Sequence, residues 1–199
     1  MRVRSLTAAA AAVLAATVLA GCRTNVGTAA NADGQQISES QVSSYVTPQS
    51  KPVSIQGTQV APKPFVLDIL IGEQFYRAVL AATPGGAPSE GQLNSMVSGY
   101  LAGRSPQQTV EGFGIHGYAP DFAQHVLVYS ELGSLLNKKV QQGVDVSSIA
   151  RKVDFPVSVN PRYGSWDQTN YMISTTPSAG LPGFVSFQPP APGTGGVAG

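Results

Sequence analysis

Residues 65–82 read FVLDILIGEQFYRAVLAA and are apolar round nearly the whole helical wheel. Asp68, Glu73, Gln74 and Arg77 do not gather on one face of it. A surface helix carries a single apolar stripe, whereas one apolar on most sides must be wrapped by the rest of its chain. The segment therefore predicts a central helix. Four ionisable or amide side chains within it argue against a bilayer span.

Local signals place the other elements around that helix. AANADGQQIS, residues 29–38, predicts a short extended segment, an Asp33-Gly34 turn and a helix start. Ser38 with Gln41, and Ser89 with Gln92, have the spacing of a capping box. After Ser89, the residues Leu93, Met96, Val97, Tyr100 and Leu101 make one apolar stripe that Gly103 ends. Residues 106–114 predict a short helix and GIHGYAP a turn. The clearest helix starts at Pro120, with Asp121 in its first turn, Lys138 and Lys139 in its last, and Gly143 beyond. Phe122, Val126, Tyr129, Leu132, Leu136 and Val140 form its apolar sector. Four prolines (48, 52, 62 and 64) predict irregular chain over residues 47–64. Downstream, DFPVSVNPRYGSWD and NYMISTT predict short extended pieces. The Pro/Gly stretch 188–199 has nothing to bury and is expected to stay disordered. The class predicted is mainly α, with one helical domain over residues 29–187.

The start of the chain carries a different signal. Arg2 and Arg4 precede an apolar run from Leu6 to Leu19, too short to cross a bilayer, which ends in Leu19-Ala20-Gly21-Cys22. This arrangement resembles the lipobox of bacterial lipoproteins. The resemblance implies that residues 1–21 are removed as a signal peptide and that Cys22 becomes the first residue, carrying diacylglycerol on its sulfur. The protein would then be lipid-anchored on the extracytoplasmic face of the cell membrane, with residues 22–28 as its tether. Cys22 is the one cysteine of the 199 residues, so its acylation leaves no intramolecular disulfide. Stability must come from packing.

Composition and motif spacing exclude several functions. Without residues 1–21 the chain has ten basic and eleven acidic side chains, a formal charge of −1, with no surplus to attract nucleic acid. Only His116 and His125 are available for acid–base work; the first lies in a Gly-flanked turn and the second in the apolar sector of the long helix. A histidine at such a place is more often a packed residue with one satisfied nitrogen than a catalytic one. No Cys/His spacing suits a metal, and the glycines of EGFGIHG follow no strand as a phosphate loop would. The expectation is a protein that is not an enzyme, with no catalytic residue and no metal or other cofactor.

Three stretches together resemble the SurA-type extracytoplasmic chaperone domains, in particular the lipoprotein members of high-GC Gram-positive bacteria. They are AANADGQQISESQVSSYV, GIHGYAPDFAQHVLVYSELGSLLNKKV and the closing VSVNPRYGSWD, so the likeness spans about residues 28–168. Ala32 stands where the family more usually has valine. The resemblance implies a SurA-N-like helical domain whose short N- and C-terminal extended segments pair and whose helices enclose an apolar groove. It implies ATP-independent, chaperone-like binding of unfolded exported polypeptides. An adaptor for one envelope partner is the alternative. Larger relatives carry a parvulin isomerase module, and His125-Val126-Leu127-Val128 is similar to its start. Here that tetrapeptide sits mid-helix with too little chain after it, so the isomerase is rejected. Tyr163 and Trp166 are the candidate peptide-binding residues, since aromatic side chains often anchor partners. Closure of the core is the competing role for Trp166.

Overall fold

A computed structural model describes residues 27–174 other than 56, 102, 168 and 169. The proposed leader 1–21, Cys22 and the stretch 188–199 lie outside the described residues. Six α-helices and three small antiparallel sheets make up the described chain, about 53% of it helical. That mixture corrects the mainly α class expected from sequence: the β content is larger than the proline-rich segments suggested.

The first sheet joins the start of the described chain to a strand late in it. Strand β1 (Thr28–Ala32) lies between β2 (Gln35–Ser38) and β5 (Val157–Val159), antiparallel to both. Asp33 and Gly34 turn between β1 and β2 with φ of 49° and 78°, the left-handed pair that a two-residue hairpin requires. Ser38 then caps α1 (Glu39–Tyr45), its hydroxyl accepting from the Gln41 N–H at 3.0 Å.

Residues 47–64 are more ordered than their prolines suggest. Strands β3 (Val53–Ile55) and β4 (Thr58–Val60) form a hairpin, with Val53, Ile55 and Val60 buried while Ser54, Thr58 and Gln59 face water. The alternation outweighs Pro52 because that proline stands before the strand and takes no ladder bond. Pro62 and Pro64 fall in the first turn of α2 (Pro62–Ala81), where the missing N–H groups have no helical partner to lose.

Helix α2 is the centre, burying Phe65, Val66, Leu67, Ile69, Leu70, Ile71, Phe75, Tyr76, Val79 and Leu80. Its main neighbour is α5 (Pro120–Gln141), and two glycines set their approach. The Tyr129 ring of α5 covers Gly72 so closely that an added Cβ would lie 2.7 Å from Cε2. Tyr76 of α2 in turn covers Gly133, where an added Cβ would lie 3.4 Å from its Cε2. The two rings stack on each other at 4.7 Å and their hydroxyls meet at 3.1 Å.

Helices α3 (Glu90–Leu101) and α4 (Pro106–Glu111) cover α5. Ser89 and Gln92 form the reciprocal cap expected, and Ser105 and Gln108, a pair not singled out from sequence, form a second. The α3 stripe is only partly used: Leu93 and Val97 are buried, while Met96 is exposed. Val140 is also exposed, against expectation, because it lies in the last turn of α5. A short helix, α6 (Val146–Lys152), had no counterpart in the sequence reading; Asp145 caps it by accepting from the Ser148 N–H at 2.9 Å. After β5 and a 3-10 turn (Pro161–Tyr163), β6 (Ser165–Asp167) and β7 (Met172–Ser174) close the described chain as a hairpin against α2.

Candidate functional site

Glu73 sits midway along α2 and is mostly shielded from water. Its Oε2 meets His125 Nδ1 of α5 at 2.9 Å, and its Oε1 accepts from Arg77 at 2.8 Å one turn on. Burial pushes the Glu73 carboxyl up, but the hydrogen bonds and charges of His125 and Arg77 outweigh it, so it titrates below its usual value. An ionised carboxylate only accepts, so Nδ1 carries a proton. In the neutral ring Nε2 accepts from the Tyr45 hydroxyl of α1, 3.1 Å away. Both ring nitrogens of His125 are partnered, one more than expected, and the side chain is 32% exposed rather than sealed in the core.

Arg77 reaches outward as well. Its Nη1 contacts Glu90 Oε1 at 2.5 Å at the start of α3, where Glu90 is 74% exposed. These groups line a cleft of about 790 Å³ between α2, α5 and the outer strand β2. Ile37, Leu70, Ala78, Ala81 and Phe155 give it apolar surface, and Gln35, Gln36, Gln41 and Gln74 add four side-chain amides. The Gln74 Oε1 is sealed from water and has no partner among the described residues. Asp33 completes the rim.

A second polar group on α2 has opposite surroundings. Asp68 Oδ1 accepts from the Ile173 N–H of β7 at 2.5 Å, while its Oδ2 is buried without a partner among the described residues. Burial raises this carboxyl to about 8, which the one backbone bond only partly offsets. At neutral pH it is a carboxylic acid.

The residues singled out from sequence lie elsewhere. Tyr163 is buried; its hydroxyl donates to Glu39 Oε2 at 3.0 Å, beside Arg162, which pairs with the same oxygen at 3.0 Å. Asn160 Nδ2 reaches Glu39 Oε1 at 3.3 Å and the Thr28 carbonyl at 3.2 Å. The NPRY stretch is thus a clasp tying the end of β5 to the start of α1. One edge of Tyr163 lines a recess of about 460 Å³ with Val46, Pro62 and Pro64. Trp166 is half-buried against the core, opposite Ile173 in the β6–β7 pair. Neither aromatic lines the larger cleft. His116 is exposed in its turn.

The reading of sequence missed the cleft because its central hydrogen bond joins Glu73 and His125, residues 52 positions apart. A signal was present: Glu73 and Arg77 are an i,i+4 pair on a helix with little water-facing surface, so a third polar group had to meet them. Chemically, the chain Glu73–His125–Tyr45 fixes a tautomer, and the rim offers carboxylates and amides to a polar ligand. Among the described residues, no group of three or more His, Cys, Asp or Glu could hold a metal ion, and no helix is long and apolar enough to cross a membrane. In comparisons with known proteins, the chain matches no family model, no curated protein and no solved structure.

Proposed function

We propose that this chain is a lipid-anchored protein of the bacterial envelope, held at Cys22, that binds an exported polypeptide segment without nucleotide and without turnover. The observation that carries the reading is the cleft of about 790 Å³ beside an outer strand, with apolar and amide surface side by side. Such a lining suits a peptide, which offers both kinds of group. The SurA-N-like identity is part of the proposal; the pairing of β1 with β5 and the long helix after the GIHGYAP turn support it. Binding without turnover is favoured by His125, whose two nitrogens are both engaged.

A dedicated adaptor is a second reading, and the polar rim favours it. Glu73, Arg77 and Glu90 suit a partner of defined charge better than any apolar stretch. The test uses the mature protein and a chemically denatured reporter enzyme. Slowed aggregation at near-stoichiometric ratio, without ATP, supports the general binder. No protection at severalfold excess, with capture of one envelope protein by crosslinking, supports the adaptor. Acceleration of a proline cis/trans step, or an unmodified Cys22 in the mass of the membrane-derived N-terminal peptide, overturns the proposal.

A further inference from the structure

The cleft has an edge as well as a lining. Strand β2 is the outer member of its sheet, and Gln35, Gln36 and Ile37 all contribute to the lining of the cleft. Ala32 and Gln35 flank the two-residue turn, which makes them a hydrogen-bonded pair; Asn31 and Gln36, next along, are the non-bonded pair. The backbone N–H and C=O of Gln36 therefore point away from β1, available to another strand. The Gln36 side chain does not cover them, since its Nε2 turns back to Thr28 Oγ1.

Charge narrows the occupant. Three carboxylates, Asp33, Glu73 and Glu90, line the cleft against one guanidinium, that of Arg77. Glu73 holds Arg77 through two of its nitrogens, at 2.8 and 3.3 Å. Glu90 is largely in water, where an ion pair contributes little and exchanges readily. A second cation can then take Glu90 while Arg77 stays with Glu73. An anionic ligand would face an excess of like charge.

We infer that the cleft takes an extended polypeptide segment bearing a lysine or arginine, its backbone added to β2 at Gln36 and its cation set against Glu90 and Asp33. The inference rests on the proposed polypeptide binding and names the class of segment. Strand addition supplies affinity through main-chain bonds and leaves selection to alternate side chains.

The probes are fluorescein-labelled octapeptides of alternating valine and lysine, valine and glutamine, and valine and glutamate, measured by anisotropy with the full mature chain. A fourth is the lysine peptide N-methylated at every second residue. The lysine peptide is expected to bind at least tenfold tighter than the glutamate peptide and to weaken with added salt. Glu90→Gln, an exposed change that leaves the fold intact, should weaken it severalfold, and N-methylation should abolish binding. Photo-crosslinks from the lysine peptide should fall within 33–41 and 70–90. Equal binding of the glutamine and lysine peptides overturns the cationic selection while polypeptide binding stands. Undiminished binding of the methylated peptide, or crosslinks elsewhere, overturns the strand addition. Binding by none of the probes, together with no protected or captured polypeptide, overturns the underlying proposal too.

Discussion

Asp68 and Glu73 lie little more than one turn apart on α2, yet their carboxyls have opposite fates. Glu73, towards the cleft, is met by an imidazole and a guanidinium and is held below the usual carboxylate range. Asp68, towards β7, receives one backbone N–H and is raised to about 8. Both are shielded from water. Burial by itself thus decides neither ionisation state; the number and charge of the partners do. One face of the helix is built to keep a charge, the other to suppress one.

The largest effect that could break this contrast comes from Asp68→Asn. Asparagine keeps an acceptor for the Ile173 N–H and is neutral at every pH. The wild-type carboxyl has a folded value near 8 against an ordinary 3.8, so between these the folded state holds a proton that the unfolded state has released. Stability should therefore fall as pH rises from about 4 to 8 and level off above, each pK unit being worth about 1.4 kcal/mol. Asp68→Asn should remove that slope and gain several kcal/mol at pH 8, while matching wild type near pH 4. Urea midpoints across this range check it, and parallel profiles would mean that Asp68 is ionised in the fold.

Glu73→Gln tests the other face. Its carboxyl titrates lower when folded, so it stabilises above about pH 4.5 and that contribution is lost as pH falls through the folded value. The substitution leaves Arg77 and His125 without their shared anion and should cost about 1.5–3 kcal/mol at pH 7. The loss should shrink on acidification, the reverse of the Asp68 profile. Nitrogen shifts of His125 should also change, since Glu73 fixes the proton on Nδ1.

What could be read from sequence divides along similar lines. Ser38, and Ser89 with Gln92, mark helix starts through bonds within four residues, while Pro120 and Lys138–Lys139 mark the ends of α5 by fitting its first and last turns, and such local signals survive any tertiary context. The central place of α2 was legible because a helix apolar on most sides has few other solutions. The β3–β4 hairpin was hidden by weighing Pro52, Pro62 and Pro64 as breakers, although each sits where its missing N–H costs nothing. The seven-residue α6 is too short for periodicity to register. The cleft joins Glu73 and His125 across two helices, with Tyr45 of a third bonded behind His125, and no local spacing encodes such a meeting. Tyr163 stood out as an aromatic near the C-terminal end, but its use as a clasp on Glu39 depends on β1–β5 pairing.

Between the two carboxyls lies Gly72, which lets α5 come close enough for His125 to reach Glu73. A Cβ there would press into the Tyr129 ring at 2.7 Å, and that ring is pinned by its stack on Tyr76. Gly72→Ala should destabilise by about 1–2 kcal/mol, the overpacking cost less the helix-propensity gain. Gly133→Ala has ordinary clearance to Tyr76 at 3.4 Å and should be neutral or stabilising by up to about 1 kcal/mol. Thermal unfolding of the pair checks this, and equal effects would show that the two helices are not held at a fixed distance.

The smallest effect separates the inner and outer halves of the Arg77 cluster. Arg77 bonds Glu73, 13% exposed, and Glu90, 74% exposed, with similar short contacts. If distance alone set the worth of an ion pair, the two would contribute alike. Solvent argues otherwise: an exposed carboxylate regains its hydration when the pair breaks, whereas a shielded one does not. A double-mutant cycle between Arg77→Met and Glu90→Gln should give a coupling below about 0.5 kcal/mol that fades with added salt. The cycle with Glu73→Gln should give about 1 kcal/mol or more and respond little to salt. Equal couplings would place Glu90 inside the structural network rather than at its rim, and the carboxylate would no longer be at liberty to meet a ligand.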